Sequence, residues 1–143
     1  MDNLLRSARF ILGLGALLAA IGVGIGALGS HALPGYLQSQ GFDEAKVQKR
    51  LEQCETAVRY QLYHALAIVG FGLSGLRWRG SCPAAWWMVL GITLFSGGIY
   101  GIVFAEAPTH GLVPFGGISF ILGWLALAAG ASLGPQPSSK QAA

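Results

Sequence analysis

The chain has 143 residues, 53% of them hydrophobic and only 10% charged, with a mean hydropathy of +0.56. A soluble domain carries about a quarter charged residues, so the composition excludes an ordinary water-soluble globule and any sizeable second, soluble domain. The net charge of +3 brings no nucleic-acid partner into view: no basic stripe with interleaved aromatics occurs, and basic residues beside membrane spans follow from the positive-inside bias.

Arg6 and Arg9 precede an uncharged run from Phe10 to Gly29. At 1.5 Å per residue, such a run makes roughly 30 Å of helix, enough to cross the hydrocarbon core. It exceeds the usual apolar core of a signal peptide, about 7–15 residues, and further apolar runs follow, so it reads as a retained helix. The expected stop is Leu33-Pro34-Gly35, because the residue before proline is pushed out of helical geometry. Tyr36 to Gly41 reads as a loop. Asp43 suits a helix N-cap, with Glu44 at the positive end of the helix dipole.

From there Val47, Leu51, Cys54 and Val58 recur at steps of four, three and four, an amphipathic helix pattern. No Pro or Gly separates it from the apolar run Leu62 to Leu76, so one long helix is expected, its first half on or above the membrane surface. Arg77 to Pro83 makes a tight connection, with Trp78, Trp86 and Trp87 as an interfacial anchor. Ala84 to Ala105 and Leu112 to Leu133 complete the apolar runs. The predicted architecture is all-α: a four-span transmembrane helix bundle with a long amphipathic extension of helix 2. Its spans are at about 10–32, 57–76, 84–105 and 112–133, within a membrane domain over 1–134. A Gly/Pro/Ser/Gln-rich tail over 135–143 has no means of packing.

Four spans put both termini on one face of the bilayer. That face holds Arg6, Arg9, Arg77, Arg79 and Lys140, against Lys46, Lys49, Arg50 and Arg59 on the other, so the termini are expected in the cytoplasm. Glycine is abundant, with 22 copies. Gly22, Gly26 and Ser30 are spaced by four, as are Gly97 with Gly101 and Gly130 with Gly134. Small residues at that spacing let helix backbones approach closely.

Polar chemistry gathers at Thr56-Ala57-Val58-Arg59-Tyr60-Gln61-Leu62-Tyr63-His64, where the charged segment runs into the apolar one. Tyr60, Gln61 and His64 share a helix face, and in a membrane such a face must meet protein or water. His31, Tyr60, Gln61 and His64 are therefore the candidate cofactor-binding residues. Two histidines on facing helices could ligate haem iron, hold a metal with Glu106, or hydrogen-bond a quinone. The competing interpretation is an interhelical hydrogen-bond network, with His31 serving the free carbonyls at its helix end. No span contains a carboxylate and no nucleophile stands at a fixed offset from a base, so catalysis is not expected and no particular cofactor is implied.

The stretches Gly26-Ala27-Leu28-Gly29-Ser30-His31-Ala32-Leu33 and Thr56 to Leu66 resemble two motifs of a known family. Leu94-Phe95-Ser96-Gly97-Gly98-Ile99-Tyr100, Pro114-Phe115-Gly116-Gly117 and Gly123-Trp124 resemble the rest. On these residues the chain is similar to the small membrane proteins called domain of unknown function 423, themselves similar to transmembrane protein 256. The resemblance implies a four-span protein of bacterial inner membranes, or of organelles derived from them, and no activity. The chain departs from the family pattern at Val113 and Gly98, where Thr and Ser are usual. The function expected is that of a structural or accessory partner in a membrane complex, or of a homo-oligomer. The alternative is a binder of quinone, haem, metal or lipid at the His31/Tyr60/His64 end.

Overall fold

The computed structural model describes residues 2–135. Five helices follow one another: α1 (Asp2–His31), α2 (Leu33–Ser39), α3 (Glu44–Leu73), α4 (Ser81–Ala105) and α5 (Val113–Ser132), with a single 3₁₀ turn at Thr109–Gly111 before α5. Among the described residues, three stretches are long and apolar enough to cross a membrane: Leu5–His31, Ser81–Ala105 and Thr109–Ser132. The helix α3 is as long as α1, 30 residues or about 45 Å. Its uncharged part, between Arg59 and Leu73, is too short to qualify by itself.

Helix α1 ends at His31, close to the expected stop, but the chain does not then enter a loop. Pro34 sits in the first turn of α2, where its missing N–H costs nothing, and residues read as a loop from Tyr36 onward are helical to Ser39. Leu33 and Leu37 on this short helix are buried against Val47 and Cys54 of α3, which the apolar pattern of so short a segment did not reveal. Asp43 caps α3 as anticipated, its carboxylate accepting from the Lys46 N–H at 2.8 Å. The expected single long helix is present. It closes at Gly75 and Leu76, both in left-handed conformation (φ 67° and 56°), with Leu76 buried.

Helix α4 begins at Ser81, and a π-helical stretch at Ile92–Ser96 interrupts it. One extra residue in a turn rotates everything beyond it by roughly 100° relative to an unbroken α-helix. That is how Ser96 and Tyr100 come to face α3 while Ala84, Ala85, Met88 and Ile92 fill the core. Of the tail, Pro135 pairs with Trp78 in an isolated bridge, and the remainder of the 135–143 segment lies outside the described residues.

The helices associate as two antiparallel pairs, α1 with α3 and α4 with α5, that share a core of Ile11, Ile68, Phe71, Met88 and Phe120. On α1 the buried stripe runs through Ala8, Ile11, Gly15, Leu18, Gly22, Ile25 and Gly29, a strict seven-residue repeat with a small residue at every seventh position. A 3.5-residue period is the signature of a left-handed crossing. A Cβ on Gly15 would lie 2.8 Å from the Val69 nitrogen, and one on Gly72 would lie 2.6 Å from Leu12 backbone atoms. The second pair repeats the device: Gly116, Gly123 and Gly130 of α5 meet Phe95, Met88 and Arg79.

Candidate functional site

Between the two pairs lies a polar centre that joins all the long helices. Gln61 is 2% exposed. Its amide nitrogen donates to the Leu18 carbonyl of α1 at 2.7 Å, and its amide oxygen accepts from the Tyr100 hydroxyl of α4 at 3.0 Å. That carbonyl is reachable because residue 22, which stands over it one turn on, is glycine: a Cβ there would lie 3.4 Å from the Gln61 amide nitrogen. Ser96, fully buried, donates to the Ala57 carbonyl at 2.9 Å and ties the π-helical stretch of α4 to α3.

His64 faces the other way, toward α5. Its Nδ1 lies 2.7 Å from the Tyr60 carbonyl, and its Nε2 lies 3.3 Å from the Trp124 indole nitrogen. A carbonyl only accepts and an indole N–H only donates, so the pair of contacts assigns the neutral tautomer with the proton on Nδ1. The imidazole stacks on Phe120 at 3.5 Å between ring centres and 11° between planes. Tyr60, on the same face of α3, packs its ring on Phe95 at 4.7 Å and remains 41% exposed.

Tyr60, Gln61 and His64 are therefore neighbours, as their spacing anticipates, but His31 does not join them. The antiparallel register that sets Gly29 against Cys54 and Gly22 against Gln61 leaves His31 roughly 18 Å along the helix axis from His64. His31 is exposed at the end of α1, and His110 is exposed in the 3₁₀ turn. Among the described residues no three His, Cys, Asp or Glu side chains converge on one point. Trp124 and Phe120, which position the His64 ring, were not singled out as partners from sequence. The available signals were their place on α5, one helical step of four apart, and the presence of Trp124 in the Gly123-Trp124 motif.

The glycines singled out from sequence fall in several settings. Gly22 and Gly26 pack on Leu62 and Val58 of α3. Ser30 is exposed and donates to its own helix at the Gly26 carbonyl. Gly97 is exposed, with the Ile92 carbonyl as its nearest neighbour, and Gly101 makes room for Thr109. The tightest contacts belong to Gly15 and Gly72 on the first pair and to Gly80, Gly91, Gly116 and Gly130 on the second, of which a spacing of four picks out Gly130 alone.

A second polar cluster closes the opposite end of the α3–α4 contact. Arg50 donates to the Ile102 carbonyl, and both Arg50 and Lys46 pair with Glu106, at 3.5 and 3.8 Å. Glu106 holds a left-handed backbone conformation (φ 51°) that terminates α4.

Residues 25–117 match the family described as protein of unknown function (DUF423). The chain belongs to this family. It is 38% identical over 116 residues to a UPF0382 membrane protein of Staphylococcus epidermidis, with 80% of this chain and 88% of that one covered. It is 36% identical to the UPF0382 membrane protein YwdK of Bacillus subtilis, over 78% and 87%. The UPF0382 inner membrane protein YgdD of Escherichia coli is 32% identical, over 87% and 91%. No solved structure matches. The chain is a membrane protein, and the names of these relatives assign no activity.

Proposed function

We propose that this chain is a four-span protein of the bacterial inner membrane whose role is structural: an accessory or assembly partner in a membrane complex, or a homo-oligomer. The fourth crossing is the second half of α3. It packs antiparallel along α1 from Gly29/Cys54 to Leu12/Gly72, and a helix held against an apolar span over that length occupies the same depth. Both termini then share one face, and the margin of five basic residues to four favours the cytoplasmic one.

The observation that carries the interaction role is a second stripe of small residues on α1. Gly13, Ala16, Ala20, Gly24 and Ala27 are exposed and lie on the side of the helix opposite its buried stripe, with nothing within 4 Å of a Cβ built on Gly13 or Gly24. The outer face of α5, in contrast, carries Phe115, Ile118, Ile121 and Leu125, bulky side chains suited to acyl chains. A helix surface that stays shallow over four turns admits another helix closely. The groups that a cofactor would use already have partners: His64 Nδ1 bonds within α3 to the Tyr60 carbonyl, while His64 Nε2 and both ends of the Gln61 amide serve contacts between helices.

Native mass spectrometry of protein extracted gently from membranes tests this reading. A dimer or a defined heteromer is expected, lost in Ala20→Leu and Gly24→Leu while the monomer keeps its helical content. A monomer carrying stoichiometric quinone, haem or metal would replace the structural role with the binding one.

A further inference from the structure

Outside the polar centre, a groove of about 520 Å³ opens between the first half of α3 and the turn that joins α4 to α5. Its upper wall carries Lys49 and His110, both exposed, and its floor is apolar, formed by Ile99, Ile102, Val113 and Pro114. A smaller hollow of about 130 Å³ beside it is lined by Lys46, Lys49 and Arg50, so the cationic rim is continuous. Lys46 and Arg50 are committed to Glu106, and among the described residues Lys49 forms no ion pair. Glu52, the carboxylate on the groove wall, accepts a hydrogen bond from Gln48 at 2.9 Å.

The groove lies where the apolar runs of α4 and α5 end, at Ala105 and Thr109, which is headgroup depth for a helix that crosses the bilayer. The geometry points to a binding site for one anionic phospholipid. Its phosphate sits between the Lys49 ammonium and the His110 ring, and the upper part of one acyl chain lies on Ile99, Ile102 and Val113. Charge and depth together select this occupant: a cation over an apolar floor at the membrane surface complements a phosphodiester above an acyl chain. The site is separate from the polar centre and from the outer face of α1, and it rests on the four-span arrangement proposed above.

The test uses the full-length protein, delipidated in detergent and titrated with phosphatidylglycerol or phosphatidylcholine under native mass spectrometry. One phosphatidylglycerol is expected to bind in preference to phosphatidylcholine. Lys49→Gln together with His110→Gln should reduce its affinity at least fivefold, the effect of roughly one basic contact at a membrane surface. Both side chains are exposed, so melting should be unchanged, and Arg77→Gln at the opposite end of the helices should leave the preference intact. Glycerol phosphate in excess should not displace the lipid, because it lacks the chain that covers the floor. Equal binding of the two lipids, a preference that survives in the double variant, an equal loss in Arg77→Gln, or displacement by glycerol phosphate would each overturn the assignment. The association proposed for the α1 face, read as oligomeric state, is independent of every one of these outcomes.

Discussion

Replacing Gly15 by Ala tests whether close backbone approach holds α1 to α3. The added Cβ would lie 2.8 Å from the Val69 nitrogen, 3.0 Å from the Ala65 carbonyl oxygen and 3.0 Å from the Ile68 side chain. Two of these three neighbours are backbone, so no rotamer change relieves the contact and the helices must part. A gap of 0.5–1 Å forfeits about a quarter to a half of each dispersion contact beside it, and inserting a methyl group into a packed interior costs about 1–3 kcal/mol. Ala in place of Gly returns about 0.8–1 kcal/mol of helix propensity, which leaves a net loss of up to about 2 kcal/mol. Gly13, two residues away, has nothing within 4 Å, so Gly13→Ala collects the propensity gain alone. Unfolding by sodium dodecyl sulfate in mixed micelles, followed by far-UV circular dichroism, should rank Gly15→Ala below wild type and Gly13→Ala at or above it. Gly72→Ala, facing Leu12 backbone atoms at 2.6 Å, should fall with Gly15→Ala. Equal stability of all three variants would refute close glycine packing as the source of the association.

Gln61→Leu removes two interhelical hydrogen bonds and should cost about 1–2 kcal/mol, at the mean of about 0.6 kcal/mol per bond in a membrane or somewhat above it. Tyr100→Phe should cost about half as much, and a double-mutant cycle between them should show coupling. Additive losses would mean that the bond does not persist in the micelle. His64→Gln should keep most of the stability and His64→Leu should lose more, since leucine leaves the Trp124 N–H without an acceptor. The same assay checks the order, which a more stable leucine variant would contradict.

The long helices were legible in the sequence because charge is absent from Phe10–Gly29, Ala84–Ala105 and Leu112–Leu133, and uncharged runs of that length leave few alternatives to helix. The cap at Asp43 was legible for a local reason, a side chain and a backbone N–H three residues apart. The helix at Leu33–Ser39 was not: Pro34-Gly35 signals a break, and only burial of Leu33 and Leu37 under α3 turns the segment helical. The π-helical stretch at Ile92–Ser96 leaves no mark in residue type, yet it sets which way Ser96 and Tyr100 point. Within the polar centre, the shared face of Tyr60, Gln61 and His64 followed from helical period alone. The partners Leu18, Ala57 and Trp124 depend on register between helices, to which a period within one helix is blind. The glycine seams follow a repeat of seven (Gly15, Gly22, Gly29 and again Gly116, Gly123, Gly130), which the spacing of four that marks the familiar close-packing motif does not bring out.

The placement of the polar centre inside the bilayer, and of the lipid groove at its surface, depends on α3 crossing the membrane. Cys54 is a poor reporter of that crossing, because it is 2% exposed and packed against Gly29, where an impermeant reagent does not reach it. Cys82 is exposed at the start of α4, and Gln48 is exposed on the first half of α3. The decisive measurement is labelling by an impermeant maleimide in sealed right-side-out and inverted vesicles, comparing Cys82 alone with Gln48→Cys alone, each in a background lacking the other cysteines. Four spans with cytoplasmic termini predict that Gln48→Cys labels from outside the cell and Cys82 from the cytoplasmic side. Labelling of both positions from the same side would contradict a crossing by α3.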